Sequence, residues 1–235
     1  MKQPASSRPP AAASAVFGAR LALAERYADL LVGAGVDRGL VGPRESGRIW
    51  DRHLLNCAVV AGSVPPASLL YDIGSGAGLP GLALAIARPD LDVVLVEPLE
   101  RRVDFLRETV AVLGLPQVRI LRARAEHLDP PGADVVTARA VAPLSRLAGW
   151  CLPLVRPGGV LLALKGGRAS AELAAAEPEL RRLGATAWTI EKMGLDVLEE
   201  ATTVVRIVAG EAPTAHSAAA RRGVAPGRRV AKGRR

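Results

Sequence analysis

The chain is poor in the residues that build cross-links and metal sites. Its two cysteines, Cys57 and Cys151, are too few for a disulfide framework and lack any zinc-binding spacing, so both read as buried, inert thiols. The three histidines, His53, His127 and His216, lie far apart and share no H-x-x-x-H spacing, which leaves metal catalysis without local support. Long apolar runs are missing as well. Nowhere do about 18 uncharged apolar residues follow one another, and the opening stretch MKQPASSRPPAAASAV has no unbroken apolar core of a signal peptide. The expectation is a soluble, cytoplasmic protein with no membrane partner and no metal.

What is present is ample apolar material, 49% of 235 residues, enough for one α/β domain with a small extension. Net charge is +8, unevenly placed. Residues 211–235 carry seven cations and one acid, so they hold +6 of it and the other 210 residues +2. A segment of Arg, Gly, Ala and Pro buries too little to fold, and 211–235 reads as a disordered basic tail, either attracted to polyanions or simply drifting in composition. Residues 1–13, rich in Pro, Ala and Ser, read as a flexible leader. Residues 14–66 read as a helical extension, with an amphipathic helix from Ser14 to Val32 stopped at Gly33 and a second from about Glu45 to Val60.

After Pro66 the pattern alternates. Apolar strands are predicted at 69–73, 92–97, 118–122, 134–138, 160–164, about 186–191 and 202–208. Helices fall at 80–87, 100–113, 143–154 and 170–183. This predicts an α/β, doubly wound, Rossmann-like seven-stranded sheet over 67–210, with the ligand site beyond the carboxyl ends of the strands. The longer 192–201 connection allows a final antiparallel strand.

The densest signal is LLYDIGSGAGLPG, residues 69–81, where a strand turns through glycines into a helix and brings backbone N–H groups toward a ligand. The glycines fit two registers. Gly76, Gly78 and Gly81 spell the G-x-G-x-x-G dinucleotide fingerprint, whereas Asp72, Gly74, Gly76 and Gly78 spell the D-x-G-x-G-x-G spacing of S-adenosylmethionine-dependent methyltransferases. Glu97, about 20 residues on, suits the two ribose hydroxyls of an adenosine in either ligand. Asp72 separates them, since an acid ahead of the glycines repels a pyrophosphate but can help hold a ligand carrying ammonium and sulfonium charge. Arg156-Pro157-Gly158-Gly159, before a later strand, resembles the turn of class I methyltransferases. The alternative is an NAD-linked oxidoreductase in the other register.

Ala125 and Glu126 follow the third strand, where this fold contacts adenine, although Glu126 also reads as an ordinary surface acid. Arg139 and Lys165 follow the fourth and fifth strands, and two cations beside a sulfonium site make sense facing an anionic or electron-rich acceptor such as nucleic acid. No Asn/Asp-Pro-Pro-aromatic motif of amine methylases or Pro-Cys nucleophile stands after the fourth strand, where the chain has Thr137-Ala138-Arg139-Ala140. A ring nitrogen such as guanine N7 carries its own in-plane lone pair and needs alignment rather than a base. No catalytic acid or base is therefore assigned.

The chain resembles the RsmG (GidB) methyltransferases of guanine N7 in the decoding-region loop of 16S rRNA. The likeness rests on IWDRHLLNC (49–57), DIGSGAGLPG (72–81), RRVDFLRE (101–108), RAEHL (124–128), TARAVAPL (137–144) and ALKGG (163–167). It implies a class I fold, S-adenosyl-L-methionine as methyl donor, and 16S rRNA or the small ribosomal subunit as partner. Carried across, donor contacts fall on Gly74, Leu79, Ala125, Glu126 and Arg139, beside Gly76 and Glu97 from the loop reading, with Lys165 near the RNA. Arg52 and His53 read either as RNA contacts or as residues packing their helix on the main domain. GVDRGLVGPRE stands where the family usually has Asn-Leu-Thr, and Asn56 where it usually has Asp.

Overall fold

Continuously apolar strands separated by amphipathic segments must bury both faces of a sheet under helices. The computed structural model describes residues 8–129 and 132–211 of the chain. Most of the leader and nearly all of the basic tail lie outside the described residues.

The N-terminal extension holds α1 (Ala11–Phe17) and α2 (Leu21–Leu30). It starts three residues earlier than Ser14, because Ala13 and Phe17 are buried in its core. The first predicted helix is not continuous. Gly18 takes φ +50°, and a tight turn over Gly18–Arg20 separates α1 from α2, while a wide π-helical turn carries the chain past Gly33 to Gly35. The second predicted helix is one helical stretch of changing pitch. A 3₁₀ segment at Pro43–Arg48 leads into a π-helical turn at Ile49–Leu55, then α3 (Asn56–Ala58) and a 3₁₀ end at Val59–Ser63. Phe17 meets Trp50 edge-to-face at 6.4 Å, tying the two halves of the extension together.

The main domain runs β1 (Leu69–Ile73), α4 (Gly81–Ala87), β2 (Asp92–Val96), α5 (Glu100–Leu113), β3 (Val118–Leu121), β4 (Ala133–Arg139), α6 (Leu144–Cys151), β5 (Val155–Lys165), α7 (Ala169–Arg182), β6 (Ala185–Met193) and β7 (Thr202–Ala209). The order across the sheet is β3-β2-β1-β4-β5-β7-β6. The first five strands are parallel, and β7 lies antiparallel between β5 and β6. β5 starts earlier than 160, because Gly158 at φ +77° lets the strand continue through the Pro-Gly-Gly segment and Gly159 has no room for a side chain beside Asp134.

Alternation splits each strand between two cores. Leu70, Val93 and Leu95 pack under the extension with α4 and α5, whereas Tyr71, Ile73, Val94 and Val96 pack against α6. Winding reverses between β1 and β4, and the crevice at their carboxyl ends is where ligands bind in such sheets. The glycine loop leaves β1 there, and Arg139 closes β4 there.

Candidate active site

The chain can turn out of β1 sharply because three glycines take left-handed backbone, Gly74 at φ +69°, Gly76 at +58° and Gly78 at +98°. The Gly74 amide donates to the Val96 carbonyl at 2.8 Å, hanging the loop on β2. A Cβ on Gly78 would stand 2.4 Å from Leu82 Cδ1 and 2.9 Å from the Tyr27 hydroxyl. That hydroxyl, buried on α2, donates to the Ala77 carbonyl at 2.8 Å, so the extension grips the loop directly. Burial pushes the Tyr27 phenol well above its ordinary pKa, which keeps it a donor.

Asp72 does not face the ligand crevice. Strand alternation places it on the Leu70 face, fully buried, where one carboxylate oxygen accepts the Gly81 amide at 3.0 Å and the other the Thr137 hydroxyl at 3.3 Å. The reading of Asp72 as a contact to the donor's positive charge is thereby corrected: it anchors the start of α4. Burial raises its pKa to about 6, against the lowering pull of those hydrogen bonds and of Arg139. Gly81 belongs to the same contact, since a Cβ there would meet Leu95 Cδ2 at 2.4 Å and Asp72 Oδ2 at 2.7 Å. It packs helix on strand and does not line the cavity, so the third glycine of the G-x-G-x-x-G register serves packing.

A cavity of about 590 Å³ opens beyond the strand ends, within the range of small-molecule sites. Gly74, Gly76, Leu79, Glu97, Ala125, Glu126 and Arg139 all line it, so the residues assigned to the donor from the sequence, Asp72 apart, meet on one surface. Glu97 is almost fully buried yet on the cavity wall. It accepts the Gly76 and Leu99 amides at 3.0 Å each, with Arg102 at 3.5 Å. A carboxylate has about four acceptor sites, and with the two amides and Arg102 on it one is left for a ribose hydroxyl. Sequence reasoning missed Leu99, Arg102, Val141 and Trp150 on the same wall. The first two follow Glu97 directly and Val141 follows Arg139, a positional signal; Trp150 comes from the face of α6 and has none.

A second cavity of about 940 Å³ adjoins the first, and His53, Arg139, Ala140 and Val141 line both. Ala140 adopts φ +55°, uncommon for a residue with a side chain and frequent where a site over-determines its backbone. Arg139 donates to His53 Nδ1 at 3.1 Å and to the Arg52 carbonyl at 3.4 Å. Lys165 lines the second cavity but is not a free cation there. Its side chain is 7% exposed, and its ammonium donates to the Ala142 carbonyl at 2.6 Å and to Glu172 at 2.9 Å. Glu172, held below its ordinary pKa by Lys165, also accepts the Leu144 amide. The pair fixes the loop between β4 and α6, and Arg139, Arg52 and Arg168 are the guanidinium groups on that cavity wall.

This fold and this strand-end cavity are those of a class I methyltransferase. Solved structures with the same fold include an S-adenosylmethionine-dependent O-methyltransferase from Thermotoga maritima, TM-score 0.52 and 13% identity, covering 68% of this chain and 66% of that one. A methyltransferase from Pyrococcus furiosus gives TM-score 0.53 and 14% identity over 65% of this chain and 80% of that one. The sequence narrows the class. A family model described as rRNA small subunit methyltransferase G, GidB, matches residues 20–199. The ribosomal RNA small subunit methyltransferase G of Salinispora arenicola is 54% identical over 219 residues, 88% of this chain and 90% of that protein. The one from a Nocardioides species is 56% identical over 202 residues, 85% and 80% of the two. The chain belongs to the rRNA small subunit methyltransferase G family, and the oxidoreductase alternative is set aside.

Proposed function

We propose that the protein methylates N7 of a guanine in the decoding-region loop of 16S rRNA, in the cytoplasm, using S-adenosyl-L-methionine bound in the 590 Å³ cavity. The observation that carries this reading is the shared wall: a donor-type cavity and an arginine-lined cavity meet at Arg139 and His53. The residues fit the donor. Gly74 and Gly76 put loop backbone free of side chains on the cavity wall, and Glu97 presents spare acceptor capacity for a ribose hydroxyl. Ala125, Glu126 and Leu79 supply the walls for the adenine end. When bound, the donor supplies an electrophilic methyl group on a sulfonium.

The protein's own residues contribute orientation and charge. Arg139 and Arg52 attract the RNA backbone and face an electron-rich purine at the partition. The imidazole on the partition has both ring nitrogens engaged, Nε2 with Glu45 and Nδ1 with Arg139, so it is not set to take a proton from an exocyclic amine. A nucleophile with an in-plane lone pair suits such a site. Names of the 54–56% identical relatives support the ribosomal substrate.

The test is methyl transfer from labelled S-adenosylmethionine to 16S rRNA and to small subunits from a strain lacking the modification, followed by mapping of the labelled nucleotide. Label at a guanine N7 in the decoding region is the expected result. Donor binding without transfer to either acceptor, or label on an exocyclic amine, overturns the assignment.

A further inference from the structure

His53 sits where the N-terminal extension meets the end of β4. Its Nε2 lies 2.9 Å from Glu45 Oε2, and its Nδ1 lies 3.1 Å from an Arg139 guanidinium nitrogen. A guanidinium only donates, so Nδ1 must accept. The ring proton then resides on Nε2 and is donated to Glu45. One neutral tautomer satisfies both neighbours, and a doubly protonated ring satisfies only one: it sets N–H against N–H and positive charge against positive charge at Arg139.

We propose that His53, oriented by Glu45, is the positioning residue that aims Arg139 along the partition between the two cavities, and that it does so only as the neutral Nε2–H tautomer. The inference rests on the reading of the two cavities as donor and acceptor sites. Ala140, held at φ +55° immediately after Arg139, adds a second constraint on where β4 delivers that guanidinium. The charged groups facing the imidazole are Glu45 from the Pro43–Arg48 segment, Arg52 from its own turn and Arg139 from β4. Burial and then Arg139 depress its pKa below the ordinary 6.5, with Glu45 pulling the other way. The Arg139 hydrogen bond is therefore intact at and above neutral pH and breaks as pH falls from 6.5 through the depressed value.

The full-length chain is assayed for methyl transfer to small subunits from pH 5 to 8.5, beside H53Q and H53A. Wild type should show an acid limb with a His53 component below pH 6.5, beside any component from the buried Asp72 carboxyl. The His53 component should be missing in H53Q, whose amide oxygen accepts from Arg139 without titrating, so its limb should be shallower than that of wild type. H53A should lose about tenfold or more in transfer rate at pH 7.5, the scale of one charge-assisted hydrogen bond, with H53Q recovering most of it. Nitrogen-15 NMR of histidine-labelled protein gives a readout that needs no RNA, with the His53 signal identified by its absence in H53Q. It should report the Nε2–H tautomer at pH 7.5, and R139Q should raise the His53 pKa. An Nδ1–H tautomer, an unmoved pKa in R139Q, or coincident acid limbs in wild type and H53Q overturns the proposal. Failure of wild type to transfer methyl at any pH removes the donor and acceptor reading and the aiming role with it, while the NMR result still decides the hydrogen bond.

Discussion

At the scale of single residues, the buried Asp72 carboxyl carries an electrostatic cost that a single substitution tests. Its carboxyl is fully buried and titrates at about 6, against an ordinary 3.8. The folded state therefore holds the proton more tightly than the unfolded chain. The favourable contribution is intact below about 3.8 and is lost as pH rises through about 6, a difference worth on the order of 3 kcal/mol. Asn at this position keeps an oxygen for the Gly81 amide and offers its NH₂ to the Thr137 hydroxyl, and it has no charge to bury. D72N should melt near wild type at about pH 3.5, part-way above it at pH 5 and several degrees above it at pH 8. Thermal melts of both proteins at the three pH values check this, and a difference that does not grow with pH contradicts a buried, ionised Asp72. Sequence spacing alone placed this acid beside the ligand. Spacing counts positions along a strand but not faces, and only the register with Thr137 shows that it points into α4.

Among the secondary-structure elements, α2 acts on the site through one atom. The Tyr27 hydroxyl is the hydrogen-bond partner of the Ala77 carbonyl in the middle of the glycine loop. Y27F removes the donor, leaves a buried carbonyl unpaired and should cost about 1–3 kcal/mol. It should also weaken S-adenosylhomocysteine binding several-fold, because Ala77 shares the cavity wall with Gly76. Calorimetry and denaturant melts check both, and lower stability with unchanged affinity would confine Tyr27 to folding. The strands were legible in sequence because parallel strands buried on both faces read as continuous apolar runs, and DVVLV and VLLAL need no partner to be recognised. The extension was legible as helical but not in its breaks. The break at Gly18–Arg20 lies against α4 and the π-helical turn at Ile49–Leu55 carries His53 to Arg139, tertiary contacts that local periodicity does not encode. Residues that follow a strand end, such as Glu97 and Arg139, were placed on the cavity because topology alone delivers strand ends there. Lys165 follows the same rule and reaches the second cavity, yet its charge goes to Glu172, a partner seven residues on that strand-end logic does not see.

Across the whole molecule, charge is divided between a nearly balanced body and a strongly basic terminal segment. Of the net +8, residues 211–235 hold +6. Many body cations are already engaged with acids, as in Arg88 with Asp90, Arg119 with Asp92, Arg122 with Glu100 and Arg156 with Asp134. Counterion release depends on cations that reach phosphates rather than on total charge, so the segment after Gly210 should dominate non-specific attraction to RNA. The arginines at the second cavity, by contrast, should dominate discrimination among RNA sites, since they stand beside the partition. A chain ending at Gly210 should therefore bind RNA with a shallower log-log salt dependence, reduced by roughly 0.7 to 0.9 for each phosphate that the segment no longer neutralises. Its choice of methylated nucleotide at low salt should be unchanged. Binding isotherms across a salt series for the full and shortened chains measure the slope, and nucleotide mapping measures the choice. Equal slopes would return RNA attraction to the body, with Arg52, Arg139 and Arg168 as the cations to substitute next.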